Sequence, residues 1–222
     1  DGEFREESAK LLATLVLTLR GTSFVFQGDE IGMTNYPWDS LDELRDADAT
    51  NRVREAVADG DIEGFEEVKE LIRYRCRDNA RTPVQWRDAP QGGFTASDAE
   101  PWLPVNPNYP EVNVEAARTD PDSIWHHHRD LIDLRGEHDV LVYGDYEPVL
   151  PGHESVWTYE RTLGEDRAFV ALNWSSEPTR VRLPERVRSE DATLAVSNYP
   201  DATGGIPERL DLDPYGARVY LD

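Results

Sequence analysis

The sequence predicts an α/β segment followed by an all-β segment, with the boundary near His138. Two observations carry this prediction. Near the start, a long apolar helix pattern runs directly into a short apolar stretch without alternation, which is typical of a parallel strand covered on both faces. After His138, short β-rich stretches recur between turn residues, which is typical of an antiparallel sandwich. We therefore divide the chain into residues 1–138 and 139–222.

The first helix is predicted from Glu6 to Leu19. Acidic residues open it, its centre is almost wholly apolar, and Arg20-Gly21 closes it. The stretch Thr22–Phe26 then reads as a strand of a parallel sheet, but the first segment offers it no parallel partner. An apolar strand at an open edge invites aggregation. We therefore expect its neighbouring strands to lie in sequence upstream of this chain.

The segment from Gln27 to Pro121 is much longer than an ordinary connection, so it should carry helices of its own and a function. Helical patterns begin at Asp39–Leu44 and recur over Asp61–Cys76, and the Pro- and Gly-rich stretch Ala89–Pro110 is predicted to be irregular. A capped helix is expected from Ser123 to about Arg135.

The all-β segment is built from short stretches with strand composition, separated by turn signals at fairly regular spacing. These stretches are Val140–Tyr143, Ser155–Tyr159, Ala168–Leu172, Arg180–Leu183, Thr193–Val196 and Ala217–Leu221.

The charge balance is strongly acidic, with 45 Asp and Glu residues against 23 Lys and Arg residues and a net charge of −22. Such a surface repels nucleic acids and anionic membranes, so neither is expected as a partner. Only Lys10 and Lys69 are lysines. The self-repulsion of this charge is relieved by salt, and we expect a protein adapted to high salt. No run approaches a membrane span and no signal peptide opens the chain, so a cytoplasmic location is expected.

Three runs carry a resemblance to a known family: GTSFVFQGDEIGMTN at Gly21–Asn35, RDNARTPVQW at Arg77–Trp86, and EPWLPVNPNY at Glu100–Tyr109. In this order and spacing the chain resembles the oligo-1,6-glucosidase and α-glucosidase branch of the α-amylase family. Sucrose isomerases, trehalose-forming enzymes and dextran glucosidases have similar runs. The resemblance therefore marks the branch better than the reaction.

The resemblance implies that residues 1–138 are the C-terminal part of a (β/α)8 barrel with its site at the C-terminal ends of the strands. Ser23–Phe26 would be the last strand, and the segment from Gln27 onward would be the loop over the substrate. Residues 139–222 would be a covering sandwich. The implied reaction is retaining hydrolysis of a terminal α-linked glucose in small substrates such as isomaltose, maltose or sucrose.

The family's catalytic carboxylates come from earlier strands, and one lies in an Asn-His-Asp motif that would precede Asp1. This sequence contains no such motif and no matching nucleophile or acid segment. No catalytic residue is therefore assigned in it. The chain alone is expected not to release glucose from a nitrophenyl glucoside.

Two substrate-binding residues follow from the resemblance by position. Arg77 matches the family arginine that binds the glucose hydroxyls in the −1 subsite, and a guanidinium can donate two parallel hydrogen bonds there. Asp48 falls where relatives carry a glutamate that faces the aglycone subsite, and it is one methylene shorter. The alternatives are a structural ion pair of Arg77 with Asp78 or a nearby acid, and a solvated acid for Asp48. Arg81 is expected to brace the loop.

Other clusters are expected to be structural, so neither a metal nor a cofactor is predicted. Glu30 of the Asp29-Glu30 pair should brace its loop. Asp46-Ala47-Asp48 lacks the later ligands of a calcium loop. The run His126–His128 cannot converge on one ion, because successive helix residues point about 100° apart. Cys76 should be a buried thiol.

Three functions remain open from the sequence. The first is part of a retaining α-glucosidase. The second is an isomerase or transglucosylase with the same loop motifs. The third is a catalytically silent relative that binds sugars or acts as a chaperone.

Overall fold

The computed structural model describes residues 2–200 and 204–222. The chain forms two compact units, residues 33–119 and residues 2–32 together with 120–222. We call them the loop unit and the sheet unit. These units do not test the division predicted at residue 138. That division separates part of a barrel from a covering domain, and it stays a prediction.

The helices, in chain order, are α1 (Arg5–Thr18), α2 (Ala47–Asp59), α3 (Phe65–Arg75), α4 (Val114–Thr119), α5 (Ile124–Glu137) and α6 (Asp139–Tyr143). The strands are β1 (Asp145–Pro148), β2 (Val156–Leu163), β3 (Asp166–Asn173), β4 (Thr179–Arg182), β5 (Thr193–Ser197), β6 (Arg209–Leu212) and β7 (Ala217–Leu221). None of the helices in the described residues is long and apolar enough to cross a membrane.

The sheet unit contains two antiparallel sheets, one in the order β1-β2-β3-β7-β5 and one formed by β4 and β6. Alternation along β3 and β7 sends side chains to two cores. Phe169 and Tyr220 pack with residues of the smaller sheet, such as Leu210. Val170 and Val219 pack against apolar residues of α1 and α5. The larger sheet is therefore buried on both faces, which explains the continuous apolar run in β3.

The loop unit is organised around a small core between α2, α3 and the irregular segments beside them. Trp38 and Leu103 are fully buried there, and Val53 and Ile72 contribute one apolar face from each helix. The indole of Trp38 donates a hydrogen bond of 2.8 Å to Asn79, which lies in a 3₁₀ turn formed by Arg77–Arg81. This core fixes the Arg77–Trp86 run against the start of α2.

The predicted strand at Thr22–Phe26 has no pairing partner in the described residues, so its assignment as a barrel strand stays a prediction. The segment is not assigned to a strand, and the Phe24 side chain is 82% exposed. A strand needs a neighbour to accept and donate its backbone hydrogen bonds, and no other part of the described chain supplies one beside this segment. The side chains of Val25 and Phe26 are exposed as well, at 44% and 53%.

The prediction of a strand at Val140–Tyr143 is wrong, because this stretch forms α6. Val140 and Leu141 are buried and pack in a small cluster with Ala168 of β3. A short apolar run fits a buried helical turn as well as a buried strand, and periodicity cannot separate the two. The first strand is instead β1, a mostly exposed edge strand of four residues, and the four-residue strand β6 was also missed.

Two arginines hold the carbonyl ends of α1 and α6 together. Arg161 of β2 is fully buried, and its guanidinium donates to the carbonyl oxygens of Thr18 (2.6 Å), Leu141 (2.9 Å) and Gly144 (2.8 Å). Arg135 of α5 donates to the carbonyl oxygen of Leu141 as well (2.8 Å). A positive charge at the C-terminal ends of two helices also interacts favourably with their dipoles. We call this pair of side chains the arginine clamp.

The stability of the sheet unit is expected to fall as the pH drops from about 6.5 to about 4, because of His127. Its Nε2 lies 2.9 Å from the Thr14 hydroxyl and 3.1 Å from the Lys10 carbonyl oxygen. Burial, helped by the nearby Lys10 charge, lowers the pKa of His127 from 6.5 to about 4. Between these values the unfolded chain binds a proton that the folded chain does not, so unfolding is favoured by up to about 3 kcal/mol.

Urea unfolding at a series of pH values checks this expectation. His127→Gln should flatten the decline between pH 6.5 and 4, whereas His138→Gln, at the half-buried C-terminal cap of α5, should keep it. An equally steep decline in both variants would contradict the assignment.

Candidate functional site

The guanidinium of Arg77 is held from one side by a single carboxylate. α3 ends at Arg75, Cys76 is extended, and Arg77 opens the following 3₁₀ turn. The Arg77 Nε donates to both Asp46 oxygens, at 3.2 and 3.0 Å, and Nη2 donates to Oδ1 as well. The Arg77 side chain is nevertheless 59% exposed, whereas that of Asp46 is only 4% exposed. The remaining N–H donors of this exposed side chain have no acceptor in the described residues.

Asp46 is fixed by more than this ion pair. It is the N-cap of α2, and its Oδ1 accepts a hydrogen bond of 3.2 Å from the Asp48 amide. Its Oδ2 accepts one of 3.2 Å from the Arg77 amide. The hydrogen bond from the Arg77 side chain is the largest cause that lowers the pKa of Asp46 from 3.8 to about 2. The carboxylate is therefore ionised at every pH near neutrality.

Asp78 ties the two segments of the site together. Its side chain is fully buried, and Oδ2 accepts hydrogen bonds from the backbone amides of Arg45 (2.6 Å) and Asp46 (2.7 Å). Its Oδ1 accepts one from Arg81 at 3.3 Å. A buried carboxylate needs such partners, because an unpaired one would be very costly. Arg81 thus lies where a loop-bracing residue is expected.

Asp48 stands in the first turn of α2 and pairs with Arg52 at 3.1 Å, one helical turn along. Its side chain is 58% exposed. No hydrogen bond joins it to Arg77 among the described residues, but both residues line the same cavity of about 400 Å³. Much of the lining of this cavity is apolar. The apolar side chains come from α2, from α3 and from the segment between them, and they include Val53, Ala56, Ile62, Val68, Leu71 and Ile72.

The structure brings the two predicted substrate-binding residues to one cavity, and it adds two residues that the sequence did not single out. Asp46 was considered only as part of a rejected calcium loop, and Asp78 only as a neighbour of Arg77. A faint signal was present for Asp46, since Asp is a preferred residue at a helix N-cap. Nothing in the sequence marked Asp78 as a buried link to residues 45 and 46.

The remaining clusters have structural roles in the described residues. The Glu30 carboxylate accepts a hydrogen bond of 2.8 Å from the Gly28 amide, so it braces its own turn. His127 and His128 are buried on α5, and no group of His, Cys, Asp or Glu in the described chain could hold a metal ion. Cys76 is buried and burial raises the pKa of its thiol.

Comparison with known proteins places these features in a family context. Residues 1–144 match the model of the alpha-amylase catalytic domain. The oligo-1,6-glucosidase of Parageobacillus thermoglucosidasius is 43% identical over 220 residues, which are 99% of this chain and 39% of that protein. The glucan 1,6-alpha-glucosidase of Streptococcus pneumoniae is 42% identical over 189 residues, covering 85% of this chain and 34% of the relative.

Solved structures give the same picture. The trehalose-6-phosphate hydrolase of Bacillus licheniformis superposes with a TM-score of 0.90 at 36% identity, over 100% of this chain and 39% of that one. The trehalulose synthase of Pseudomonas mesoacidophila superposes with a TM-score of 0.90 at 37% identity, over 98% and 38%. The chain thus spans about two-fifths of the length of the proteins it resembles.

Proposed function

The chain belongs to the alpha-amylase family, and from this membership we propose that it is part of a retaining α-glucosidase that removes terminal α-linked glucose from small oligosaccharides. Relatives at this level of identity that cover nearly the whole chain are named oligo-1,6-glucosidases. The substrates we propose are of the isomaltose, maltose or sucrose type. No cofactor is part of the proposal, and a cytoplasmic location stays a prediction.

We propose that residues 1–138 complete a (β/α)8 barrel and that residues 139–222 cover it as a sandwich. The segment Thr22–Phe26 supports this proposal, because it is largely apolar, exposed and without a pairing strand in the described chain. The missing strands would give it the two neighbours that a barrel strand requires.

We assign Arg77 to the glucose that is cleaved off and Asp48 to the leaving part of the substrate. The observation that carries the assignment of Arg77 is its exposed side chain, which lines a cavity large enough for a small ligand. Its charge-assisted hydrogen bonds to sugar hydroxyls would orient the anomeric carbon. The nucleophile and the acid, about 5 Å apart in retaining enzymes, would come from the preceding part of the barrel.

A chimaera tests the proposal. Residues 2–222 would follow the preceding part of the Parageobacillus oligo-1,6-glucosidase, with a second chimaera on the Halalkalibacterium halodurans enzyme, which is 42% identical, in case the first does not fold. We expect glucose from isomaltose and from a nitrophenyl α-glucoside. A folded chimaera that forms glucose–fructose isomers from sucrose instead would favour the isomerase alternative. A folded chimaera without any product would favour the silent relative.

We also propose that the protein is adapted to high salt. With a net charge of −22, its surface repels itself in dilute buffer, and about 1 M salt shortens the range of that repulsion to about 3 Å. The melting temperature should therefore rise as KCl is added from dilute buffer to about 1 M. A melting temperature that stays level or falls would count against salt adaptation.

A further inference from the structure

The side-on contact between Asp46 and Arg77 decides which donors of the guanidinium can reach a ligand. An arginine side chain has five N–H donors in a rigid fork. Asp46 takes the Nε donor and one Nη2 donor, which leaves three N–H groups, two on Nη1 and one on Nη2. In the described part of the chain, Asp46 is the one residue that accepts a hydrogen bond from this side chain.

We infer that Asp46 is a positioning residue, which holds the Arg77 guanidinium with these three donors directed toward the glucose hydroxyls; the inference rests on the function proposed above. Asp46 itself touches no substrate in this scheme. It acts only through Arg77, and it would do so before any substrate arrives.

The orientation of Asp46 is set by the backbone around it and not by Arg77 alone. Its amide donates to Asp78, at 2.7 Å, and its carboxylate caps α2 through the Asp48 amide. The carboxylate is therefore held at a fixed point of the loop unit from two directions. A binding group supported in this way loses little freedom when a ligand binds, which is the general advantage of a preorganised site.

The difference in exposure argues against a merely structural ion pair. A pair that served packing alone would gain most if both partners were buried and fully hydrogen-bonded. Here the carboxylate is buried and fully engaged, while the Arg77 side chain is 59% exposed and keeps three of its five N–H donors unused in the described residues. The same turn contains a second ion pair, between Arg81 and Asp78. Arg81 is not among the residues that line the cavity, so this second pair holds no exposed group beside the cavity.

The first test measures the order of the Arg77 side chain in the 222-residue chain by NMR. The Nε–H signal of Arg77 would be assigned by its loss in Arg77→Lys. We expect a rigid signal in the parent chain and a mobile one in Asp46→Asn, which keeps a good helix cap but loses the charge. Asp59→Asn, with the same charge change at the far end of α2, is the matched control. An equally rigid signal in Asp46→Asn would overturn the inference, whatever the enzyme does.

The second test is a double-mutant cycle in the active chimaera. Asp46→Asn should lower kcat/KM for isomaltose about tenfold, and Asp59→Asn should leave it unchanged. In an Arg77→Ala background, Asp46→Asn should change kcat/KM less than twofold, because its effect passes through the missing side chain. Equal effects in both backgrounds would overturn positioning while leaving the α-glucosidase intact. An inactive chimaera would instead speak against the proposed function, and the NMR result would still decide the role of Asp46.

Discussion

Replacing Arg77 by alanine in the chimaera is expected to lower kcat/KM for isomaltose by about a hundredfold or more. A hydrogen bond from a charged donor contributes about 1.5–3 kcal/mol, and each 1.4 kcal/mol corresponds to a factor of ten. Two such bonds to the glucose hydroxyls therefore account for at least two orders of magnitude. Steady-state kinetics with isomaltose and with a nitrophenyl α-glucoside measure the loss on two leaving groups.

The conservative variant and a matched control separate recognition from a general effect of charge. Arg77→Lys keeps the charge but cannot pair side-on with Asp46 and still offer parallel donors, so we expect it to recover at most about a tenth of the activity. Arg54→Ala removes the same charge from the exposed face of α2 and should leave kcat/KM within twofold. If Arg77→Ala behaved like Arg54→Ala, the assignment of Arg77 to the substrate would be untenable.

Replacing Arg161 by methionine is expected to lower the free energy of unfolding by about 4 kcal/mol. The substitution leaves the carbonyl oxygens of Thr18, Leu141 and Gly144 with fewer donors inside the sheet unit. Each buried group without a partner costs about 1–3 kcal/mol. Arg161 also lies at the C-terminal ends of α1 and α6, where its charge offsets the helix dipoles.

Urea unfolding at pH 7 measures this loss, and an exposed arginine of the same sheet unit serves as the control. Arg182 of β4 pairs with Glu208 at 2.9 Å while 74% exposed. Such surface pairs contribute at most about 1 kcal/mol, so Arg182→Met should be nearly neutral. A loss below about 1 kcal/mol in Arg161→Met would mean that water or a local shift can satisfy the freed carbonyl groups.

The long elements could be predicted from the sequence because their patterns are redundant. α1 and α5 have many apolar positions and clear end signals, and the structure confirms both helices within a few residues. The apolar run of β3 also led to the right strand. Val140–Tyr143 was mispredicted because the stretch is too short for its period to be read. The strand at Thr22–Phe26 stays a prediction, because the described residues hold no partner that could pair with it.

Only those residues of the candidate site that have counterparts in the family resemblance could be predicted from the sequence. Arg77 and Asp48 were predicted by position from the family resemblance, and in the structure both line one cavity. The roles of Asp46 and Asp78 arise from contacts between segments about thirty positions apart, such as the hydrogen bond from the Arg45 amide to Asp78. No local pattern encodes such a contact, because it depends on how the loop unit packs.

The arginine clamp has a consequence for the lifetime of the folded sheet unit. Its hydrogen bonds join Arg161 to Thr18, 143 positions apart, and Arg135 to Leu17, 118 positions apart. Contacts between such distant positions are costly to form early, so we expect the clamp to close after the folding barrier has been crossed. Interactions that are absent from the transition state slow unfolding without speeding folding. The two guanidinium groups should thus lower the unfolding rate of the sheet unit and leave its folding rate nearly unchanged.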